Sequence, residues 1–200
     1  MIKNILWDFD GVILDSMKVR DFGFREIFKD FSSNQVDNLI AFHRLNGGLS
    51  RYVKIQYFYE TILEKPITQI EISSYANRFS KIMRDTLTDK KNLIKESVSF
   101  IDKNYKNYNF HIVSGSDQEE LRFLCNELNL SDFFISIHGS PTAKNILVKE
   151  LLNQEKYSLE ETCLIGDSFN DYEAAKINKI NFLAFNNPDL DKYNSIKPFY

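Results

Sequence analysis

Five short apolar runs divide the chain, and most of them alternate with stretches of helical pattern. The runs cover residues 2–7, 110–113, 134–137, 162–165 and 181–185. Each is rich in Ile, Val, Leu or Phe and soon gives way to Gly, Ser, Asp or Asn, as buried strands do. Strands that alternate with helices predict a parallel sheet with helices on both faces. The expected fold class is therefore α/β.

One long stretch breaks this alternation. Between Asp15 and about Asp89 no strand is predicted, and apolar residues recur at helical spacing with many aromatic side chains among them. The stretch is too long for a simple crossover, so it predicts an all-helical insertion between the first strand and the second. We assign residues 1–15 and 90–200 to a core domain and residues 16–89 to the inserted helical domain.

Composition narrows the classes of partner. The chain has 25 Lys and Arg against 28 Asp and Glu, and a net charge of -3 gives no electrostatic reason to expect a nucleic acid or a membrane partner. Cys125 and Cys163 lie in apolar segments without zinc-binding spacing, which is typical of free thiols in a reducing compartment. Charged residues interrupt the N-terminus too early for a signal peptide, and no apolar stretch approaches the length of a membrane span. We expect a cytoplasmic protein.

Polar side chains follow four of the predicted strands. They are Asp8 and Asp10 after the first strand, Ser114 after the second, Lys144 after the third, and Asp167 and Asp171 after the fourth. In a parallel sheet, ligands bind outside the carboxyl ends of the strands, where the strand order reverses. The sequence therefore predicts one site that combines carboxylates, a hydroxyl group and an amine.

This set of side chains suits a metal-assisted reaction at phosphorus. Carboxylates held together repel one another unless a cation lies among them, and oxygen ligands are those that Mg²⁺ prefers. Asp8 and Asp167, at the ends of strands expected to be neighbours, are placed to share that ion. Beside a metal and a lysine, Asp8 keeps a low pKa and is predicted to act as a nucleophile. Gly11 lets the backbone turn Asp10 toward the leaving oxygen, where it serves as general acid and then general base.

The same residues resemble the motifs of a known family. The stretch DFDGVILDS from Asp8 to Ser16 resembles the first motif of the haloacid dehalogenase superfamily of phosphotransferases with an aspartate nucleophile. Ser114 is similar to the second-motif residue that holds a phosphoryl oxygen, and GDSFND at residues 166–171 resembles the fourth motif. The resemblance implies a Rossmann-like core with a five-stranded parallel sheet and, after the first motif, a helical cap of the C1 type.

The resemblance also implies roles for individual residues. Asp8 is expected to be the nucleophile and Asp10 the acid/base, while Ser114 holds a phosphoryl oxygen. Mg²⁺ is the expected cofactor. Its candidate ligands are Asp8, Asp10, Asp167 and Asp171, with Asp167 on the metal and Asp171 supporting the site.

One position departs from the family pattern. Many relatives with this type of cap carry the third-motif lysine directly before a proline, but here Ser140 precedes Pro141. The next lysine is Lys144, four residues later, at the predicted start of a helix. We expect Lys144 to fill the catalytic role. The alternative interpretation is a solvated lysine in the first turn of that helix.

Asp10 separates two activities found in the superfamily. Release of a halide needs no proton, whereas an alkoxide leaving group does. Relatives that act on carbon–halogen bonds generally lack an acid at this position. Asp10 therefore predicts phosphoryl transfer.

A segment of the inserted domain is a candidate for substrate binding. Residues 43–51, HRLNGGLSR, resemble the glycine-containing cap loop and arginine of β-phosphoglucomutase-like members. Gly47 and Gly48 would let the backbone approach a ligand, and Arg51 would bind a distal anionic group. The alternative is a turn between helices with a surface arginine. Gly11 and Gly115 complete the predicted substrate-binding set.

The predicted function is a Mg²⁺-dependent phosphatase acting on a small phosphorylated metabolite through phosphorylated Asp8. A first alternative is a β-phosphoglucomutase-like sugar phosphomutase, which would use the same nucleophile and be activated by a bisphosphate. A second alternative is a regulatory or binding module without catalysis. The complete set of predicted catalytic residues speaks against the module, because a module would be free to lose Asp8 or Asp10.

Overall fold

A five-stranded parallel sheet forms the centre of the molecule. The computed structural model describes residues 1–197, and the strand order is β3-β2-β1-β4-β5. The strands are β1 (Asn4–Trp7), β2 (Asn109–Asp117), β3 (Ser136–Ser140), β4 (Thr162–Gly166) and β5 (Asn181–Ala184). Every neighbouring pair runs parallel. The prediction of an α/β fold with five parallel strands is confirmed.

Two predicted strand boundaries were wrong. The third strand runs from Ser136 to Ser140 and not over residues 134–137, because a helical turn at Ser131–Phe133 occupies the preceding segment. The second strand does not stop before Ser114 but continues to Asp117, with an irregular register against β3 after Val113. Apolar runs mark the buried part of a strand, and in both cases polar residues extend the backbone pairing beyond that part.

Eight α-helices accompany the sheet in the described part of the chain. They are α1 (Met17–Ile27), α2 (Ser33–Leu45), α3 (Arg51–Tyr57), α4 (Gln69–Thr86), α5 (Lys95–Asn104), α6 (Gln118–Glu127), α7 (Lys144–Glu155) and α8 (Phe169–Ile177). A π-helical segment, Phe58–Ile62, continues α3. Residues 16–89, all of them described, contain helices and turns but no strand. The division into a core domain and an inserted cap stays a prediction, and "cap" below means residues 16–89. No helix within residues 1–197 is long and apolar enough to cross a membrane.

Local sequence signals explain where the cap helices begin. Ser32 accepts a hydrogen bond from the Gln35 backbone N–H, and the Gln35 side chain accepts one from the Ser32 N–H. Thr68 and Glu71 form the same reciprocal pair at the start of α4. These capping boxes satisfy backbone donors that the first turn of a helix leaves unpaired.

The two faces of the sheet bury different partners. Successive side chains of a strand point to opposite faces. Ile5 and Trp7 accordingly belong to the larger apolar cluster that extends into the cap, whereas Leu6 packs in a second cluster with residues of α7 and α8. Both faces of β1 are therefore covered, as a central strand of a parallel sheet requires.

The topology fixes where a ligand site lies. From β1 the chain passes to β2 and β3 on one side of the sheet, and β4 and β5 lie on the other. The strand order thus reverses between β1 and β4, and the crevice at their carboxyl ends is the place where such sheets bind ligands.

Candidate active site

Asp8 lies at the centre of this crevice. It follows β1 directly, its backbone N–H donates to Ile165 O at 2.9 Å, and only 3% of its surface is exposed. Asp167 follows β4, whose residues pair with those of β1 in register up to Trp7 and Ile165. Carboxylate oxygens of Asp8, Asp167 and Asp171 lie within 4.8 Å of one another. The structure therefore brings these three predicted residues together.

Lys144 reaches the same point from the third strand end. It is the first residue of α7, it is buried, and its Nζ lies 2.8 Å from Asp8 Oδ1. The same Nζ also donates to Asp171 Oδ1. The solvated-lysine alternative is thereby wrong, because a solvated lysine would not be buried between two carboxylates. Ser140, which occupies the usual position of the lysine, is buried as well.

The charges in this group perturb one another. Burial, together with the negative charge of Asp171, raises the pKa of Asp8 to about 7 despite the opposing effect of Lys144. Burial and the charge of Asp8 raise the pKa of Asp167 to about 8. The pKa of Lys144 is also raised, since the charges of Asp171 and Asp8 outweigh the effect of burial. The single positive charge of Lys144 thus lies among three carboxylates.

This donor set fits a magnesium ion. Crowded carboxylates whose pKa values are raised by burial and by one another gain from a cation among them, and all the ligand atoms offered are oxygens. Asp8 and Asp167 have oxygens that the protein does not fully use. Asp171 differs, because its Oδ2 accepts from the Ser168 N–H at 3.0 Å and from Ser168 Oγ at 2.7 Å, and its Oδ1 accepts from Lys144. Asp171 thus fixes the start of α8 and the position of Lys144.

Asp10 is not part of the carboxylate group. Its Oδ1 accepts from Ser16 Oγ at 2.5 Å and from Arg20 Nε at 2.7 Å, and its Oδ2 accepts from Ser116 Oγ at 2.5 Å. Although burial raises it, the net pKa of Asp10 is lowered by the charge of Arg20 and by these hydrogen bonds. Asp10 is therefore held ionised, the form that a general base requires, and both of its oxygens point at cap or β2 residues.

Gly11 occupies a position that no other residue fits. Its φ of +76° lies in the left-handed region, and a Cβ built there would lie 1.9 Å from Asp167 Oδ2. The turn after β1 thus passes directly under the carboxylate that ends β4. The predicted need for glycine is explained by Asp167 as well as by the turn.

The loop of the cap closes over the second strand end. Ser114 is buried, and its Oγ accepts from the Ser116 N–H at 3.1 Å. A Cβ on Gly115 would lie 2.3 Å from the carbonyl oxygen of Gly48. The two backbones are therefore in direct contact. Gly47 lies in the same loop, with its carbonyl oxygen 3.2 Å from Lys54 Nζ.

Arg51 is held by the protein itself. Its Nη1 and Nη2 donate to the two carboxylate oxygens of Glu120 at 2.5 and 2.7 Å, Nη1 also donates to Ser80 Oγ at 2.6 Å, and the guanidinium lies over the Phe79 ring. The alternative interpretation, a turn between helices with a surface arginine, is wrong, because Arg51 is buried. Its predicted role in gripping the substrate stays a prediction.

Sequence reasoning missed several residues beside Asp10. Arg20 bridges two carboxylates, since its Nε contacts Asp10 and its Nη1 lies 3.3 Å from Glu120 Oε1. Lys54 and His43 lie next to them, with Lys54 Nζ 2.9 Å from His43 Nδ1. The only signal for Arg20 was its place one helical turn after Ser16, and Glu120 resembles any acidic residue in the first turn of a helix.

A parallel sheet with its polar site at the switch point places the chain among the α/β proteins of Rossmann-like topology. The chain belongs to the haloacid dehalogenase-like hydrolase family, whose family model matches residues 5–185. The resemblance found in the sequence motifs is confirmed. A search of curated proteins gave no match.

Solved structures with the same fold were found at low sequence identity. β-Phosphoglucomutase from Clostridium difficile is 16% identical over 97% of this chain and 89% of its own, with a TM-score of 0.78. CbbY from Rhodobacter sphaeroides, in complex with phosphate, is 15% identical over 94% and 89%, with a TM-score of 0.73. A haloacid dehalogenase-like family hydrolase from Streptococcus pneumoniae is 18% identical over 96% and 90%, with a TM-score of 0.70.

Proposed function

We propose that the protein is a Mg²⁺-dependent phosphatase that hydrolyses a small phosphate monoester through a phosphorylated Asp8. The observation that carries the proposal is the position of Asp8. This buried carboxylate at the end of the central strand lies 2.8 Å from Lys144 Nζ and within 4.8 Å of the Asp167 and Asp171 oxygens. A nucleophile beside cationic groups and metal-binding oxygens is suited to attack on a phosphoryl group.

The first chemical step uses Asp8 and Asp10. An Asp8 oxygen forms a bond to phosphorus, the bond from phosphorus to the ester oxygen breaks, and the electron pair leaves with that oxygen. Asp10, once protonated, gives its proton to the leaving alkoxide. Lys144 neutralises charge on the phosphoryl oxygens, and the Ser114 hydroxyl donates to one of them.

The second step restores the enzyme. Asp10 takes a proton from a water molecule, whose oxygen forms a bond to phosphorus as the bond to Asp8 breaks. Inorganic phosphate and free Asp8 are the products. Asp10 starts this step ionised, in agreement with its lowered pKa. Closure of the cap loop over Gly115 keeps bulk water away from the phosphorylated Asp8.

Asp8 and Asp167 would hold the magnesium ion, with Asp171 close by and Asp10 as a further predicted ligand. When bound, Mg²⁺ supplies positive charge that balances the carboxylates and the phosphoryl oxygens. The side chains of Asp8, Asp10, Ser114 and Lys144 carry out the two steps described above.

The phosphomutase alternative needs a second phosphate-binding group. Arg51, which was predicted to bind a distal anionic group of the substrate, already forms a bidentate pair with Glu120. The likeness to β-phosphoglucomutase is one of fold. Hydrolysis is therefore the function that we propose.

Phosphate release from p-nitrophenyl phosphate by the purified protein tests the proposal. Activity should require Mg²⁺, disappear with EDTA, and fall by at least about 10³-fold in Asp8→Asn because no covalent intermediate forms. Asp102→Asn, an identical change at an exposed carboxylate on α5, is the matched control. Turnover that persists in Asp8→Asn would contradict the mechanism, activation by a sugar bisphosphate would favour the mutase, and no turnover of any ester would favour the module.

A further inference from the structure

A small cavity lies beside Asp10, between the cap and the segment after Val113. Its volume is about 20 Å³, room for one or two water molecules. The polar side chains that line it include Asp10, Arg20, His43, Lys54 and Ser116. Because Asp10 is the predicted proton donor to the leaving oxygen, the cavity adjoins the position of the leaving group. We call it the cap cavity.

Arg51 also lines the cap cavity, but three of its five N–H donors are already used, and they hold a buried carboxylate. Both carboxylate oxygens of Glu120, the Ser80 hydroxyl and the Phe79 ring surround its guanidinium. Glu120 itself is fully buried. A substrate that claimed Arg51 would leave the Glu120 carboxylate buried without its main partner, which is costly.

Arg20 has an unused donor. Its Nε and Nη1 donate to Asp10 and Glu120, whereas Nη2 is buried and has no hydrogen-bond partner within residues 1–197. Only 6% of the surface of Arg20 is exposed. A buried guanidinium N–H without an acceptor costs free energy, and an acceptor in the cap cavity would recover it.

Lys54 has an unused charge. It is 3% exposed, and its Nζ contacts only His43 Nδ1 at 2.9 Å and the Gly47 carbonyl oxygen at 3.2 Å among the described hydrogen-bond partners. No carboxylate within residues 1–197 forms an ion pair with it. An ammonium group has three donors, so one N–H is free for a ligand. His43 and Gly47 hold the stem in place.

The charges around the cap cavity do not balance. Arg20, Arg51 and Lys54 are basic, whereas the carboxylates are Asp10 and Glu120, which pair with the two arginines. With Lys54 protonated, one positive charge is in excess. Burial and the charge of Arg20 lower the pKa of Lys54 to about 7, so an anion in the cavity would also favour its protonated form.

We propose that Arg20 and Lys54 bind a carboxylate on the leaving group of the substrate, which makes the substrate the phosphate ester of a short hydroxy acid. The proposal rests on the proposed phosphatase function. A carboxylate carries one negative charge and accepts several hydrogen bonds, which matches one excess cation and two unused donors. A second phosphate group would bring a larger body and more charge than the cavity balances. In this proposal Lys54 takes the gripping role predicted for Arg51.

Turnover of two matched esters tests the proposal in the full-length protein with Mg²⁺. 2-Phosphoglycolate and 2-hydroxyethyl phosphate differ in that a carboxylate replaces a hydroxymethyl group. We expect kcat/KM to favour the acid by at least about tenfold in the wild type. Lys54→Met should reduce that preference to within about threefold, chiefly through KM. Lys81→Met, at an exposed lysine of α4, should keep the wild-type preference.

Binding of two unreactive phosphonates tests the cavity independently of catalysis. Isothermal titration calorimetry of phosphonoacetate and ethylphosphonate gives the ratio of their two dissociation constants, which we call the affinity margin for the carboxylate. The margin of the wild type is measured without any variant, so it does not depend on how a variant folds. A margin below about twofold in the wild type, or a margin unchanged in folded Lys54→Met, overturns the assignment. Absence of turnover with the margin intact would overturn the phosphatase and leave the carboxylate site standing. Turnover without any preference for the acid would overturn the carboxylate site and leave the phosphatase function standing.

Discussion

The strand-end site, formed by Asp8, Lys144, Asp167 and Asp171, and the cap cavity are close neighbours with opposite imbalances of charge. At the strand ends, three carboxylates lie around one lysine. Around the cap cavity, two carboxylates pair with two arginines, and Lys54 adds a third basic group. The first imbalance suits a bound cation and the second a bound anion. In the proposed mechanism this arrangement would keep the charge of the metal apart from the charge of the leaving group, with Asp10 between them.

The two regions also differ in how the chain assembles them. Two strand ends and the first turns of α7 and α8 provide every residue of the strand-end site, so regular elements position it. The cap cavity depends on contacts between distant residues, such as Arg51 and Glu120, 69 positions apart. We therefore expect local backbone changes to disable the strand-end site, and expect loss of one long-range ion pair to disturb the cap cavity.

The largest expected effect comes from Gly11→Ala. The added Cβ would meet Asp167 Oδ2, and the φ of +76° would strain any side chain. Phosphatase activity should fall by at least about 10²-fold, because displacement of a predicted metal-binding carboxylate by about 1 Å misplaces the reacting groups. Gly47→Ala, whose Cβ would lie 3.7 Å from Ser168 Cβ, should cost much less. Equal losses in the two variants would show that Gly11 has no special relation to Asp167.

Glu120→Gln should destabilise the protein strongly. The change leaves Arg51 and Arg20 buried without the carboxylate that pairs with both, and loss of a buried ion-pair partner costs about 3 kcal/mol. Urea unfolding measures the free energy of unfolding. Glu119→Gln alters the adjacent, exposed carboxylate and should change stability by less than about 0.5 kcal/mol. A small effect of Glu120→Gln would mean that the ion pairs of Glu120 with Arg51 and Arg20 contribute little to the stability of the contact between the cap and the rest of the chain.

Lys144→Ala tests the lysine that lies four residues beyond the usual position. Its Nζ contacts Asp8 and Asp171, so kcat should fall by about 10²-fold through loss of one charged donor at the phosphoryl group. Lys149→Ala, an exposed lysine of the same helix, is the control. An intact kcat in Lys144→Ala would rule out its catalytic role.

The smallest expected effect is a dependence of stability on pH that arises from a histidine outside both sites. His111 is buried, with Ser136 Oγ and Tyr157 Oη on its two ring nitrogens, and His138 contacts the same serine. Burial and the charge of His138 lower the pKa of His111 to about 4, against about 6.5 in an unfolded chain. Between these values the unfolded chain binds the proton and the folded chain does not, so stability falls as the pH falls.

The His111 contribution should amount to about 1 kcal/mol between pH 7.5 and 5.5. Urea unfolding at the two pH values measures it, and His111→Gln should flatten the dependence by that amount. The pKa of His43 is also lowered, to about 2, by burial and by Lys54. His43 therefore contributes equally to the pH dependence of stability in the wild type and in His111→Gln. An unchanged pH dependence in His111→Gln would show that His111 is not the titrating group.

The sequence was a good guide to the parts of the molecule that regular elements position. Alternating runs predicted the five strands, and polar residues at their ends predicted Asp8, Lys144, Asp167 and Asp171 as one group. Asp10 was also identified, but its partners Arg20 and Ser116 were not, because nothing in their local pattern distinguishes them from ordinary surface residues. The ends of β2 and β3 were misplaced for a related reason, since polar residues in a strand carry no apolar signal.

By itself, the sequence determined the class of fold, the strand-end carboxylates and the lysine, because strand periodicity and parallel topology bring consecutive strand ends to one edge of the sheet. The tertiary structure alone decided that Glu120 pairs with Arg51 and that Lys54 has no carboxylate partner within residues 1–197. Which buried charges meet depends on how the cap packs over the sheet, and that packing joins residues whose separation along the chain leaves no periodic trace.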